Sequence, residues 1–183
     1  ERFQLDDNGY MSYSDDKIKH AKLGIDVSSH QGSIDWDQVK EAGIQFAMIR
    51  LGYRGYTQGG LALDDGYVTN IETALEAEMP VGVYFYTQAV SYDEGVEEAQ
   101  YVLQNIAGYK ISYPVVIDTE KMEAEGARAN DISNEERTDA IVGFCETIKN
   151  AGYTPMIYAN RNWYAQNLDM DRLGDYQLWL AQY

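Results

Sequence analysis

Apolar positions along this chain fall into two alternating kinds of run. Short stretches rich in β-branched and aromatic residues, "KLGIDVS", "IQFAMIRLGY", "PVGVYFYTQAV", "YPVVIDTE", "YTPMIYAN" and "YQLWLAQY", have the brevity of strands. Between them lie segments with helical spacing and helical punctuation. "IDWDQVKEAG" offers Asp35 as N-cap, Gln38 as its capping-box partner and Gly43 as the stop. A second helix is predicted around "DDGYVTNIETALEAE", and a third over "SYDEGVEEAQYVLQNI", capped by Ser91 with Glu94. A fourth covers "SNEERTDAIVGFCETIKNAG", capped by Ser133 with Glu136 and ended by Gly152. Strands alternating with amphipathic helices predict parallel βαβ units. Residues 1–21 are polar and turn-rich and stand apart as a leader or hairpin outside this pattern.

The polar residues at the strand ends give the pattern its meaning. Asp26, Arg50, Tyr86, Asp118 with Glu120, Asn160 and Tyr183 all fall at or just past the C-terminal ends of predicted strands. In a (β/α) barrel that end is the active face. The most pointed case is "PVVIDTEKM", where a buried strand runs out into two carboxylates. Strand side chains alternate, so Asp118 and Glu120 share a face while Thr119 points away. One reading is a rim pair salt-bridged to Arg50 or Arg128. The other is acid–base chemistry, in which one carboxyl stays protonated because burial and a like-charged neighbour raise its pKa. Glycoside cleavage uses such a group to protonate the leaving oxygen, beside a second that stabilises or attacks the anomeric carbon.

Composition narrows the field. A formal net charge of −16 over 183 residues argues against nucleic acid or anionic membrane surfaces as partners, since both need cationic neutralisation. No apolar run approaches membrane-spanning length, and no glycine-rich phosphate loop follows a strand. The single cysteine, Cys145, reads as a small buried thiol on a helix face. Two histidines and one cysteine give no zinc-like spacing. "LDDNGYM" lacks the later ligands of a calcium loop and reads as a turn. Sixteen tyrosines suit either a sugar-holding groove or ordinary packing.

"DVSSHQG", then "IDW", "FAMIRLGYRG", "VGVYFYTQA", "PVVIDTE", "GYTPMIYAN" and "LWLAQY", in that order from about Leu23 to Tyr183, resemble glycoside hydrolase family 25, the Chalaropsis-type lysozymes. The resemblance implies an α/β fold, a distorted TIM-like (β/α) barrel. It implies hydrolysis of the β-1,4 bond between N-acetylmuramic acid and N-acetylglucosamine in peptidoglycan, without metal or cofactor. By motif, Glu120 matches the general acid/base, Asp118 its companion that orients the substrate's 2-acetamido group, and Asp26 the acid ending the first strand. Substrate-assisted retention is the implied route, with a direct carboxylate nucleophile as the less favoured version. Glu120 would be protonated and Asp118 ionised at the activity optimum, near or below neutrality.

Tyr84 and Tyr86 share a strand face and are expected to line the groove, with Arg50, Tyr158, Asn160 and Trp179 from other strands. Sugar stacking and barrel filling both remain open for the aromatics. Arg128, in the rim loop "GARAND", would meet the muramyl carboxylate or sit solvated. His30 and Gln31 follow the first strand, where His30 bonds a rim carboxylate or, the preferred reading, caps the turn. Two rival functions are a non-catalytic cell-wall glycan-binding domain and an acetamido-sugar hydrolase acting on chitin. No signal peptide is visible, so a secreted or wall-associated protein would appear here in processed form. The sequence leaves oligomeric state open.

Only six strand signals are present, and a parallel barrel closes only when its last strand pairs with its first. The resemblance implies further strands. Residues 22–183 are therefore expected to form a catalytic barrel lacking its C-terminal part, with a gap between the first and sixth strands. Residues 1–21 or a neighbouring chain are the candidates to fill that gap.

Overall fold

The computed structural model of the chain describes residues 3–5, 7, 9–14 and 21–182. Two short strands, β1 (Phe3–Leu5) and β2 (Met11–Tyr13), pair antiparallel in a sheet of their own. The main body follows as β3 (Gly24–Val27), a 3-10 turn (Ser29–Gln31), α1 (Trp36–Glu41), β4 (Phe46–Arg54), β5 (Leu61–Leu63), α2 (Tyr67–Glu76) and β6 (Val81–Tyr86). It continues with α3 (Tyr92–Ile106), β7 (Val115–Asp118), α4 (Asn134–Asn150), β8 (Pro155–Asn160), α5 (Arg161–Asn167), α6 (Met170–Leu173) and β9 (Gln177–Ala181).

All six expected strands form and lie in the order β3-β4-β6-β7-β8-β9, every neighbouring pair parallel. The result is a mixed α/β fold with a curled parallel half-barrel sheet. Two pieces went unforeseen. The short β5 pairs antiparallel with the far end of β4, and α5 and α6 fill the last crossover. Tyr183, counted above among the strand-end residues, lies outside the described residues.

The helix caps follow the sequence with two changes. Ser133 and Glu136 form the full reciprocal capping box on α4. Asp35 accepts from the Gln38 N–H, but the Gln38 amide returns to the Asp35 carboxylate rather than to its backbone. Ser91 caps α3 by accepting from the Glu94 N–H (3.3 Å), while the Glu94 carboxylate accepts from Val90 N–H (2.9 Å) and is otherwise committed to Arg128. Gly43 and Gly152 end their helices at positive φ, +88° and +89°, where a side chain would be strained.

The core lies between the sheet and the helices. Outward-facing strand residues such as Ile49, Val83, Phe85, Val115, Ile117 and Ile157 are fully buried there. On the concave face, Arg50, Tyr84, Tyr86, Met156, Tyr158 and Trp179 are only partly buried. A closed barrel of this type fills its interior with layers of side chains; this arc leaves its interior as a groove. Among the described residues β3 and β9 are the two ends of the ladder and do not pair. Between them runs a cleft lined by Ile25, Met48, Tyr113, Met156 and Leu178, among others.

Helices α3 and α4 meet through glycines. A Cβ on Gly95 would stand 1.9 Å from the Ala140 carbonyl oxygen, and one on Gly143 would stand 2.4 Å from the Tyr92 carbonyl oxygen. Gly95→Ala therefore forces the helices apart. A loss of about 1–3 kcal/mol is expected, outweighing the gain in helix propensity, and is read as a lower denaturant midpoint.

Candidate active site

The register of the sheet sets the groove in rows. Tyr53, Tyr86, Asp118, Tyr158 and Trp179 are successive partners across β4, β6, β7, β8 and β9. One step below, Arg50, Tyr84, Val116, Met156 and Gln177 form the next row. Aromatic rings thus flank Asp118 on both sides. Trp179 packs edge-on against Tyr158 (4.9 Å between ring centres) and Tyr84 (6.5 Å).

A cavity of about 540 Å³ opens over these rows. It gathers Asp26, Asp118 and Glu120 with Arg50, Tyr84, Tyr86, Tyr158 and Trp179, all of them sequence-predicted. It also holds four residues that were not predicted: Tyr53, Arg54, Tyr56 and Met122. Asn160 and Arg128 do not line it. Asn160 borders a neighbouring polar cavity, and its side chain caps α5 by accepting from Trp163 N–H (2.9 Å). Arg128 donates through Nη1 and Nη2 to the two Glu94 carboxylate oxygens (2.9 and 2.8 Å), so its guanidinium is paired rather than solvated.

The salt-bridged rim pair is not what forms. Among the described residues neither Asp118 nor Glu120 has an ion-pair partner, and Arg50 and Arg128 are engaged elsewhere. Arg50 Nε donates to Asp64 Oδ2 (2.7 Å), and Arg50 Nη2 pairs with the same oxygen. Asp64 also accepts from Ser29 N–H (2.8 Å) and Ser29 Oγ (2.9 Å), tying the turn after Asp26 to β4. In "LALDDGY" this aspartate read as part of a helix start; nothing local marked it as a hub. Gln31 is likewise structural, its Oε1 accepting from Ser28 N–H (2.7 Å) in a capping box.

The three acids sit in unequal surroundings. Asp118 is 7% exposed, and its Oδ1 is buried with no hydrogen-bond partner among the described residues. Burial, then the charges of Glu120 and Asp26, hold its carboxyl well above the usual range, against the pull of Arg50. Glu120 is raised by burial alone. Asp26 stands more open on the edge strand, yet crowding by protein atoms raises it too, against a hydrogen bond to its own backbone. Both carboxyls of the strand-end pair are therefore raised, Asp118 by burial and by its charged neighbours, Glu120 by burial. Tyr84 and Tyr86 are pushed up by burial and by the nearby carboxylates. Thr119 points away as expected and accepts from Trp163 Nε1 (3.0 Å). Among the described residues no three His, Cys, Asp or Glu side chains converge closely enough to share a metal ion.

Behind the groove a second acid is wholly enclosed. Glu98 is 0% exposed, accepts from Arg54 Nε (2.8 Å), and is pushed up to about 7 by burial despite Thr87, Arg54 and the Gln88 backbone. The folded protein therefore keeps this proton to a higher pH than the unfolded chain. That contribution to stability is complete below the ordinary value of 4.5 and is lost as pH rises through about 7. Asp118, Glu120 and Asp26 act in the same direction. Denaturant midpoints should fall between about pH 5 and pH 8, and Glu98→Gln should flatten part of that decline. An unchanged slope in the variant would refute the assignment.

Paired carboxylates in a groove are the arrangement that glycosidic bond cleavage commonly uses. The profile of Glycosyl hydrolases family 25 matches residues 25–183, and the chain belongs to that family. It is 29% identical over 160 residues to the autolytic lysozyme of Clostridium acetobutylicum, a match covering 87% of this chain and 44% of that one. Its fold is similar to that of the modular autolysin LytC from Streptococcus pneumoniae (TM-score 0.81, 26% identity, 99% of this chain and 43% of that chain). A lysozyme from Streptomyces coelicolor is also similar (TM-score 0.73, 27% identity, 88% and 75%). The chain thus spans less than half the length of the Clostridium relative.

Proposed function

We propose that this chain carries the catalytic groove of a peptidoglycan hydrolase, an N-acetylmuramidase cutting the β-1,4 bond between N-acetylmuramic acid and N-acetylglucosamine. The observation that carries the reading is the convergence of Asp26, Asp118, Glu120 and the tyrosines in one cavity at the C-terminal strand ends. Family membership and the lysozymes among its relatives support it. We also infer that the curled sheet is an arc of a distorted TIM-like barrel, because its polar groups collect at the rim that such barrels use. Residues 22–183 carry part of the catalytic barrel, and residues 1–21 are a leader or hairpin preceding it. The protein acts at the cell wall, where its substrate lies. Among the described residues no helix is long and apolar enough to cross a membrane.

The chemistry follows from the unequal acids. The buried, unpartnered Oδ1 of Asp118 is an acceptor awaiting a donor, and a substrate acetamido N–H supplies one. Accepting that bond favours ionised Asp118, while burial keeps Glu120 available as the carboxylic acid. The acetamido carbonyl oxygen then attacks the anomeric carbon as the glycosidic C–O bond breaks. Glu120 gives its proton to the leaving oxygen, and an oxazolinium ion forms. Glu120, now a carboxylate, takes a proton from water as the water oxygen bonds to the anomeric carbon and the bond from that carbon to the acetamido oxygen breaks, leaving retained configuration. Asp26 adds negative charge near the positive intermediate. Tyr84, Tyr86, Tyr158, Trp179 and Arg50 shape the walls, while Asn160 and Arg128 act by holding the rim.

The test is digestion of purified peptidoglycan, borohydride reduction of the products and mass spectrometry of the reduced ends. Reduced N-acetylmuramic acid is expected. Reduced N-acetylglucosamine would overturn the bond assignment, and an absence of new ends would leave a glycan-binding domain. Chitin oligomers assayed in parallel decide the remaining alternative.

A further inference from the structure

Strand β4 carries an irregularity that changes what faces the groove. Its register against β6 shifts between Arg50 and Gly52, so Arg50 pairs with Tyr84 but Tyr53 pairs with Tyr86. Plain alternation would place Arg50, Gly52 and Arg54 on one face and Tyr53 on the other. The shift instead brings Tyr53 into the row of Tyr86 and Asp118. It directs the Arg54 guanidinium to α3 at the edge of the cavity.

Beyond the shift, β4 outruns β3, which ends at Val27, and folds back through Gly55–Gly60 into β5. The tip is fastened from several sides. Gly55 N–H donates to the Gly60 carbonyl (2.8 Å) and Gly59 N–H to the Gly55 carbonyl (3.0 Å). Arg54, 4% exposed, donates to Glu98 Oε1 (2.8 Å), Glu97 Oε2 (2.7 Å), the Gly59 carbonyl (2.7 Å) and the Glu94 carbonyl (3.1 Å). Arg128 N–H donates to the Tyr56 carbonyl (2.9 Å), while its guanidinium holds Glu94. A stiff arm therefore projects from the sheet. Its two large rings, Tyr53 (39% exposed) and Tyr56 (42% exposed), both line the cavity that contains the carboxylates.

We propose that this β4–β5 arm is a distal sugar subsite, on which Tyr53 and Tyr56 seat a ring of the glycan strand beyond the one held at Asp118 and Glu120. The proposal rests on the muramidase reading. Tyr53 lies two strands from Asp118 along the row, on the order of 10 Å, too far to share the sugar seated on the carboxylates. The occupant is set by continuity: the same cavity runs from the acids to the arm, so a linear substrate at the acids extends along it. Exposed rings present flat apolar faces with a hydroxyl, suited to a pyranose. Because the arm is already fixed, little ordering is lost on binding. Arg54 and Arg128 are positioning residues for the arm.

The test measures KM of the full chain on alternating N-acetylglucosamine–N-acetylmuramic acid oligomers of increasing length. Wild type should show KM falling by about tenfold from the shortest cleaved oligomer to the longest. The double variant Tyr53→Ala/Tyr56→Ala should lose most of that fall, and Tyr53→Phe/Tyr56→Phe, which keeps the rings, should retain it. If wild type cuts the oligomers and the double alanine variant shows the same length dependence, the arm is not a subsite. If wild type cuts none of them at muramic acid, the muramidase reading falls and the arm with it.

Discussion

Glu120→Gln is expected to lower turnover on peptidoglycan by about 10²–10⁴-fold, the range for a lost general acid or base. The amide keeps the size and hydrogen bonding of the side chain but cannot deliver a proton to the leaving oxygen. Glu120 lies on the partly exposed rim with no ion-pair partner among the described residues, so the fold should survive; circular dichroism and denaturant midpoint would be near wild type. The pH profile belongs to the same expectation. The Glu120 and Asp118 carboxyls are both raised by burial, so activity should centre on mildly acidic to neutral pH and decline once both are ionised. More than about half the activity remaining in the variant, or a plateau above about pH 9, would remove Glu120 from the role.

Asp118→Asn should pull activity and stability in opposite directions. Turnover should fall by about 10²-fold or more, because an amide cannot supply the anionic acceptor for the acetamido N–H. Yet the wild-type carboxylate is buried, unpartnered at Oδ1 and repelled by Glu120 and Asp26. A carboxyl whose pKa is raised by folding withdraws stability as pH climbs through its folded value, and asparagine removes that loss. The variant should therefore show a higher denaturant midpoint than wild type at pH 8, with the difference shrinking toward pH 4. A midpoint equal to or below wild type at pH 8 would mean that Asp118 is not held under charge strain. A glycosyl group trapped on Asp118 with a fluorinated sugar would replace acetamido assistance with direct nucleophilic attack.

The sequence made the parallel strands and their helices legible because short β-branched runs alternate with amphipathic segments, and capping residues punctuate the helices. The carboxylates of "PVVIDTEKM" were legible for the same reason. β5 was not, since "LAL" after two glycines is too short to show a period. The register shift in β4 left no mark either: "MIRLGYRGY" alternates acceptably through the bulge, and only the partner strand reveals which residues changed sides. That is why Tyr53 and Arg54 escaped notice. Arg128 and Asp64 were misread through a different blindness. Their partners Glu94 and Arg50 are distant in sequence, and a charge cannot be assigned to solvent or substrate until the fold shows what faces it. The deep burial of Asp118 was hidden because the D-x-E spacing does not encode depth.

The open concave face has a consequence for how such a protein can change. In a filled barrel, every inward side chain is wedged between others, so altering specificity disturbs packing. Here the packing among the described residues is carried on the convex side by residues such as Val83, Phe85, Ile117 and Ile157, while Tyr84, Tyr86 and Tyr158 line the groove. Along β6 and β8, alternate positions therefore answer to different selective demands. One set is constrained by volume, and the other is free to sample new chemistry without first securing extra stability. Divergence in substrate preference can accumulate on this lineage at alternate codons, with the fold as a bystander.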